Sequence, residues 1–533
     1  MNAFLSRFGS LINFVLSGFD RLRFVGESRW LNNARGVDSY LYQQKIRYVD
    51  FPAHAQELTQ TLRRQTEQQA RDEGVPLRAL NHADVDKEAA ALELAKAHNK
   101  TRGRVALISA VERCQTYRVR KNEDGRRFVL KLPGKCLHYY HYFLHEQLGL
   151  CYVRLQSWFP FAVRVGVNGR EGLYRQLEKR GVKYQRRNNL LVWVEDPAAA
   201  QQILDQQRRA DWSAQLNELV RPLQPLWSYL HETARAPYYW MSEQSEWASD
   251  FVFHSPQQLA AWYPRWLQHG VKTLQCRDVL RYLGKKLPQR DDGPSGGYGG
   301  CTGEVKIDLR RRVEGTRLKF WYDTNSLKIY DKESQAFRIE TTINQPRGFK
   351  VFRHKETDPP EAPRSWQPLR KGVADLDRRA EISHAANQHL AESLATVAET
   401  RTLGELLKPL GRPVFQDGRR VARALNPLAG PDGDLLRILA QGDFLLRGFR
   451  NADVRVALHG AAAGTAAAGT AAADLRRRQS AAVTRQLGLL RKHGLILKIP
   501  KSHRYQLSAA GRRITTALLA AQQSNITHLA ESA

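Results

Sequence analysis

No uninterrupted apolar run of 18 or more residues occurs in the 533-residue chain, which excludes a hydrophobic helix spanning a bilayer. Cysteine is scarce: Cys114, Cys136, Cys151, Cys276 and Cys301 are odd in number and include no C-x-x-C pair, so neither a disulfide framework nor a zinc ribbon is encoded. That usage points to a reducing, bacterial-type cytoplasm. The N-terminal MNAFLSRFGSLINFVLSGFDRLRF lacks an A-x-A cleavage pattern and carries a single Arg7 ahead of its apolar run, unlike a signal peptide; a helix lying at a membrane interface is the other reading of it. Acidic residues are also short. There are 53 Asp and Glu against 83 Lys and Arg, leaving a formal charge of +30. Such an excess argues for a polyanionic partner, nucleic acid first, because each phosphate neutralised releases condensed counterions.

What is present divides into several domains at about 150 residues each. The expected class is α+β. Residues 1–100 read as a helical region: Phe4, Phe8, Leu11, Ile12 and Val15 fall at three- and four-residue spacing, 37–49 and 53–71 continue in that manner, and 84–96 follows with Asp84 as N-cap. Residues 101–355 read as an α+β core. In it, 116–121 and 127–132 flank an Asp-Gly-containing loop and predict a hairpin. Strands at 151–159, 162–167 and 190–195 alternate with helices at 169–180 and 197–209, an order suggesting a split, ferredoxin-like layer. Residues 210–290 read as helical and 291–303 as a loop. Residues 356–430 read as linker and helices, and 431–533 as a separate module.

Period-two alternation is clearest in 304–344, which predicts a meander of half-buried strands. Val305, Ile307, Leu309, Leu318, Phe320, Tyr322, Leu327, Ile329, Phe337, Ile339 and Ile343 would point into one core. Successive strand side chains point to opposite faces. The second face would then carry Asp308, Lys319, Trp321, Lys328, Tyr330, Lys332, Arg338 and Glu340, either as solvated surface or as a site that contacts nucleic acid or a metal. Cross-strand distances of about 5 Å would place Tyr330 and Lys332 beside Arg338 and Glu340.

The run Asn325-Ser326-Leu327-Lys328-Ile329-Tyr330-Asp331-Lys332, followed by Phe337-Arg338-Ile339-Glu340, resembles the paired strands of rolling-circle replication initiators of plasmids and filamentous phages. The resemblance implies a metal-dependent DNA nickase of a mobile element. In that family two histidines on a strand hold a divalent metal, Mg²⁺ or Mn²⁺, while a tyrosine attacks the phosphate. Carried to this chain, Glu340 with His138 and His141 would form the metal group, and Tyr330, Tyr139 or Tyr140 the nucleophile. The chain has H-Y-Y-H where the family has H-hydrophobe-H. Asp331 joins the site through the resemblance alone, since alternation turns it to the opposite face.

Other groupings compete. His138, His141 and His145 would share a face on a helix, with Cys136 and Cys151 nearby. Glu246 and Asp250, one helical turn apart, or Asp308 with Glu340, would make a carboxylate-only two-metal centre. Trp158, Phe159, Phe161 and Tyr152, interleaved with Arg154, Gln156 and Arg164, would form a stacking platform for single strands, or else core.

The C-terminal module reads as short helices at 434–440 and 452–458, with Asn451 capping the second, a long helix from about 475 to 493, two strands around Pro500-Lys501-Ser502-His503, and a last helix from 509. It resembles MarR-type winged-helix domains, and the whole chain more loosely resembles bacterial proteins of similar length labelled by such a region. The resemblance implies duplex DNA as partner. The long helix offers Arg476, Arg477, Arg478, Gln479, Ser480, Thr484, Arg485, Arg491 and Lys492 to the major groove, where Arg pairs with guanine and Gln with adenine. Lys501, His503 and Arg504 would lie along the backbone. The low-complexity insert at 460–474 is a loop expansion. The expectation is a DNA-binding protein with nicking or replication-initiation activity, the alternatives being a non-catalytic transcriptional regulator or an RNA-binding protein within a ribonucleoprotein.

Overall fold

Alternation in 305–343 is realised as antiparallel strands in the computed structural model, which describes residues 2–80, 86–274, 279, 282, 283, 305–312, 315–354, 359, 363–395, 403–440, 444, 448–459, 470–499 and 502–523. Helix α1 (Asn2–Phe8) leads into β1 (Ile12–Ser28), then α2 (Ala34–Gln43), α3 (Phe51–Asp72), β2 (Leu77–Leu80), α4 (Lys87–Ala97), β3 (Gly103–Lys121), β4 (Arg127–His145), β5 (Gly149–Gln156) and β6 (Val163–Asn168). Next come α5 (Gly169–Lys179), β7 (Tyr184–Arg187), β8 (Leu190–Val194), α6 (Pro197–Arg208), α7 (Trp212–Val220), β9 (Tyr238–Phe253) and α8 (Pro256–Thr273). The meander is β10 (Val305–Arg312), β11 (Gly315–Tyr322), β12 (Asn325–Lys332) and β13 (Ala336–Ile343). After it follow β14 (Lys350–Arg353), β15 (Ser365–Pro368), α9 (Leu376–Leu394), α10 (Leu403–Leu407), β16 (Val414–Gln416), β17 (Arg419–Ala422), α11 (Gly430–Leu439), α12 (Asn451–His459), α13 (Thr470–Lys492), β18 (Ile496–Lys498), β19 (Tyr505–Leu507) and α14 (Ala509–Gln523). The class is α+β, with a large mixed sheet and small antiparallel ones.

The chain divides into two compact units, one of residues 1–15, 250–341 and 382–533, the other of 16–249 and 342–381. In the first, β10, β11, β12 and β13 are neighbours in that order, with Val305 opposite Tyr322 and Arg317 opposite Tyr330. Leu318, Phe320, Leu327, Ile329, Phe337 and Ile339 are fully buried, as alternation requires. Ile307 and Leu309 depart from the expectation: they are 49% and 54% exposed, because β10 is an edge strand. Phe4 and Phe8 of α1 pack on Trp266, and Phe4 also on Phe251 and Phe337, so the N-terminal aromatics are core.

In the second unit the order is β9, β1, β6, β5, β4, β3, β2, antiparallel for the pairs from β1–β6 to β3–β4 and parallel for β2 and β3. One face carries a core containing Phe19, Leu22, Phe24, Leu107, Tyr117, Val153, Val165 and residues of α2, α3 and α7. On the other face α4 packs Ala90, Ala91 and Ala95 against Val105, Ile108, Tyr140 and Tyr142. Asp86 caps α4 by accepting from the Glu88 and Ala89 amides at 3.0 and 3.1 Å, the role expected of Asp84, which lies outside the described residues. The order β5, β6, α5, β8, α6 is as expected, but β7 is unexpected, and it pairs with β8 as a two-stranded sheet of their own, so β8 does not join the large sheet as a split, ferredoxin-like layer requires.

Two stretches expected to be helical are strands, β1 and β9. β1 is buried on both faces from Leu16 to Asp20 and β9 from Trp247 to Phe253, which breaks the alternation that marks a half-buried strand into short pieces. The loop at 291–303, Glu314 and residues 460–469 of the low-complexity insert lie outside the described residues, while 470–474 form the first turn of α13. No helix among the described residues is long and apolar enough to cross a membrane.

Candidate functional site

The meander brings together the residues its alternation singled out. Tyr330 Oη donates to Glu340 Oε2 at 3.2 Å and accepts from Arg338 Nη1 at 3.4 Å. Lys328 Nζ lies 2.5 Å from Glu340 Oε1. The Lys328 and Lys332 ammonium groups sit 5.6 and 5.7 Å from the Tyr330 ring centroid, with the Arg338 guanidinium carbon at 5.9 Å, a cation–π arrangement. Arg338 also grips Asp250 of β9 through two nitrogens, the Nη2–Oδ2 distance being 2.9 Å. That bidentate geometry is the strong form of the pair.

Over β12 and β13 this face is closed, while on β10 and β11 Asp308, Lys319 and Trp321 are half-buried. Every residue of β13 is buried, Arg338 and Glu340 are 0% exposed, Tyr330 4% and Lys332 5%. Lys332 and Arg338 therefore present no surface to a phosphate, and neither the solvated face nor the open nucleic-acid face is realised. Alternation states that the second face is opposite the core; it does not state whether a further layer covers it. Asp331 turns to the other side, where it accepts from the Thr316 amide at 2.5 Å and fastens the start of β11. Gly315, at φ +141°, sits so close that a Cβ would come within 2.4 Å of the Asp331 carbonyl oxygen. Asp308 is engaged by Arg310 Nε at 2.7 Å and Arg317 Nη2 at 2.9 Å, which leaves its carboxylate neutralised by arginines rather than shared with Glu340. Glu246 and Asp250 lie on strand β9, four residues apart and so on one strand face, not on a helical turn.

The histidine run is a strand as well. His138 and His141 lie on β4, where a three-residue spacing turns them to opposite faces, so they hold no metal jointly, and the His138, His141, Glu340 group does not form. His138 Nδ1 is 3.1 Å from the Cys136 carbonyl, and Arg104 Nη1 donates to His141 Nδ1 at 3.1 Å. Burial is the main cause that pushes both imidazoles down to about 3, and the neighbouring arginines add to it. Tyr139 donates to Glu67 at 2.5 Å and Tyr140 to Glu112 at 2.7 Å, and burial raises both phenols. Protonated phenols held by carboxylates make poor nucleophiles. Arg154 serves the same Glu112 at 3.1 Å, with Lys87 on its other oxygen at 3.0 Å. Phe159 and Phe161 are core, Trp158 packs against that core half-buried, and the Tyr152 ring packs at a tilt against Tyr140 and Tyr142. These rings form interior packing rather than an open stacking platform.

The C-terminal module follows the expected order: α11, α12 and α13, the β18–β19 hairpin, then α14 around a core of Leu435, Leu439, Val454, Val483, Leu487, Leu490, Ile496 and Leu518. Leu410 and Leu425 belong to the same core, so the module begins before residue 431. Val483, Leu487 and Leu490 face inward on α13. At 100° per residue the opposite side carries Arg477, Arg478, Ala481, Arg485 and Gly488, all exposed, with Arg491 exposed on the flank. Gly488 meets nothing within 4 Å. Arg476 is exposed at the helix start, above the buried side. Ser480 and Thr484 are tied to α12: Asn451 Nδ2 donates to the Ser480 carbonyl and Thr484 Oγ1 at 2.8 Å, and Ser480 Oγ donates back at 3.0 Å. Gln479 is half-buried. Lys492 is pinned to the Val421 carbonyl at 2.6 Å, and Arg504 turns inward to the Gly448 carbonyl at 3.2 Å, a structural tie rather than a wing contact. His503 is exposed; Lys501 lies outside the described residues.

Within the second unit Asp20, buried, and Glu246, half-buried, each offer a carboxylate oxygen, the two lying within 4.8 Å of one another. No protein-family model, no curated protein and no solved structure matches the chain.

Proposed function

We propose that the chain is a DNA-binding protein whose duplex contact is the exposed arginine side of α13. The observation that supports this best is the division of α13 into a leucine and valine side that packs the module and a side of Arg477, Arg478 and Arg485 spaced by Ala481 and Gly488. Arginine reads guanine edges and phosphates, and the small residues let the helix axis approach the groove floor. The excess charge of +30 supplies attraction along the backbone. Substituting Arg477, Arg478 and Arg485 by Ala, and titrating duplexes of varied sequence, tests the reading: sequence preference should disappear while a weaker, salt-sensitive affinity remains.

Metal-dependent nicking is the second reading, favoured by the Tyr330–Glu340 hydrogen bond. It requires the closed face to open, with Mg²⁺ or Mn²⁺ on Glu340 to polarise a phosphate. Incubating supercoiled plasmid with wild type and Glu340→Gln, with and without Mg²⁺ or Mn²⁺, decides it. Nicking by wild type alone supports the reading, and intact plasmid throughout removes it.

A further inference from the structure

Strands β3 and β4 pair with each other along their whole length, from Gly103 opposite Leu144 to Lys121 opposite Arg127. Their other neighbours stop early. β2 reaches only Leu107–Ala110 of β3, and β5 only His138–His145 of β4. Residues 111–121 and 127–137 therefore form a two-stranded ribbon, about 35 Å long at about 3.3 Å per residue. Tyr117 and Val129 root one of its faces in the core, and Lys131 Nζ ties it to Asn32 at 2.8 Å. From residue 120 to residue 128 every position is exposed.

The ribbon is charged in a way its own fold does not require. Between Arg113 and Lys135 there are eight Lys and Arg and only two acids, Glu123 and Asp124 at the turn. Arg113 stands directly opposite Lys135, and Lys121 directly opposite Arg127. Like charges facing across a ladder oppose pairing. Among the described residues, no ion pair offsets these four, nor Arg118, Arg120 or Arg126. On the face beyond the root, Arg118 and Arg120 stand opposite Leu130 and Phe128, which are 38% and 40% exposed.

We propose that this ribbon is a second DNA-binding element, an arm that lies in the major groove of a duplex. A two-stranded ribbon matches the groove of B-DNA, about 12 Å wide, whereas the deep, narrow groove of A-form RNA does not admit it. Cations on both faces meet the phosphates of both walls, which relieves the facing like charges, and Phe128 and Leu130 meet sugars and thymine methyls. The arm belongs to the second unit, and its inference does not rest on the reading of α13.

The test uses the full chain as wild type, as Arg118→Gln/Arg120→Gln/Arg126→Gln/Arg127→Gln, and as Arg477→Ala/Arg478→Ala/Arg485→Ala. Anisotropy with a 30-base-pair duplex is followed across a salt series. Losing the arm's contacts should weaken binding at least tenfold and flatten log K against log[salt] by about 2 to 4, since each phosphate contact carries a slope of about 0.9. An unchanged slope overturns the arm whatever the helix variant does, and loss confined to the helix variant leaves the α13 reading intact without it. Should the glutamine variant fail to fold, trypsin digestion of wild type still decides: duplex DNA should slow cleavage at Arg118 to Arg127, and equal cleavage with and without DNA contradicts the arm. Tighter binding to an RNA duplex of equal length, or to anionic vesicles, overturns the choice of DNA.

Discussion

Two groups of cations in the same compact unit came to notice by the same sign, basic residues at regular spacing, and the fold treats them oppositely. Lys328, Lys332 and Arg338 are interior, held by Glu340, Asp250 and the face of Tyr330. Arg477, Arg478 and Arg485 are exposed on a helix whose other side is the core. A charge that the chain satisfies internally contributes to architecture; one left in solvent beside small residues is available to a partner. Spacing locates both kinds, and burial separates them.

Stability should separate them most strongly. Arg338→Ala leaves Asp250 buried without its guanidinium, and breaking such a pair costs about 3–5 kcal/mol. The urea midpoint should fall sharply, or the variant should fail to fold. A loss below about 0.5 kcal/mol would show the meander face to be more open than its burial implies.

Acid should expose the same logic in the second unit. His138 and His141 titrate near 3 in the fold against about 6.5 unfolded, so between those values the unfolded chain binds more protons. The stability they contribute is complete above pH about 6.5 and lost as pH falls toward about 3. Urea midpoints measured from pH 7 down to pH 5, before most carboxylates titrate, should decline, and His141→Gln should decline less. A flat wild-type profile would mean that the imidazoles are hydrated.

Tyr330→Phe keeps the ring under its cations and removes one hydroxyl, so it should cost about 1 kcal/mol. Normal plasmid nicking by that variant, if wild type nicks, would exclude Tyr330 as nucleophile, and complete loss of nicking with a mild stability change would move the residue from architecture to chemistry. The smallest stability effect belongs to the arginine side of α13: Arg477→Ala/Arg478→Ala/Arg485→Ala should stay within about 0.5 kcal/mol per site, as exposed substitutions do.

Much of the architecture was legible because half-buried elements announce their period. The meander, the hairpin about Asp124-Gly125, α3 and the order of the C-terminal module all follow from alternation, turn residues and helical spacing. The juxtaposition of Tyr330, Arg338 and Glu340 was legible too, since cross-strand neighbours follow from register. What escaped has physical causes. β1 and β9 each contain a stretch buried on both sides that interrupts their alternation. His138 and His141 share a face only if they are helical, and a strand of aromatics placed them on opposite sides. The partner that fixes Arg338 is Asp250, 88 residues away, a distance no local pattern spans.

The most direct measurement is the affinity of the full chain for duplex DNA across a salt series, wild type beside Arg477→Ala/Arg478→Ala/Arg485→Ala. The account predicts tight, sequence-dependent, salt-sensitive binding by wild type. The variant should melt at the same temperature, lose sequence preference and show a log K against log[salt] slope lower by about 2 to 3. Equal affinity, preference and slope in the two proteins would contradict it.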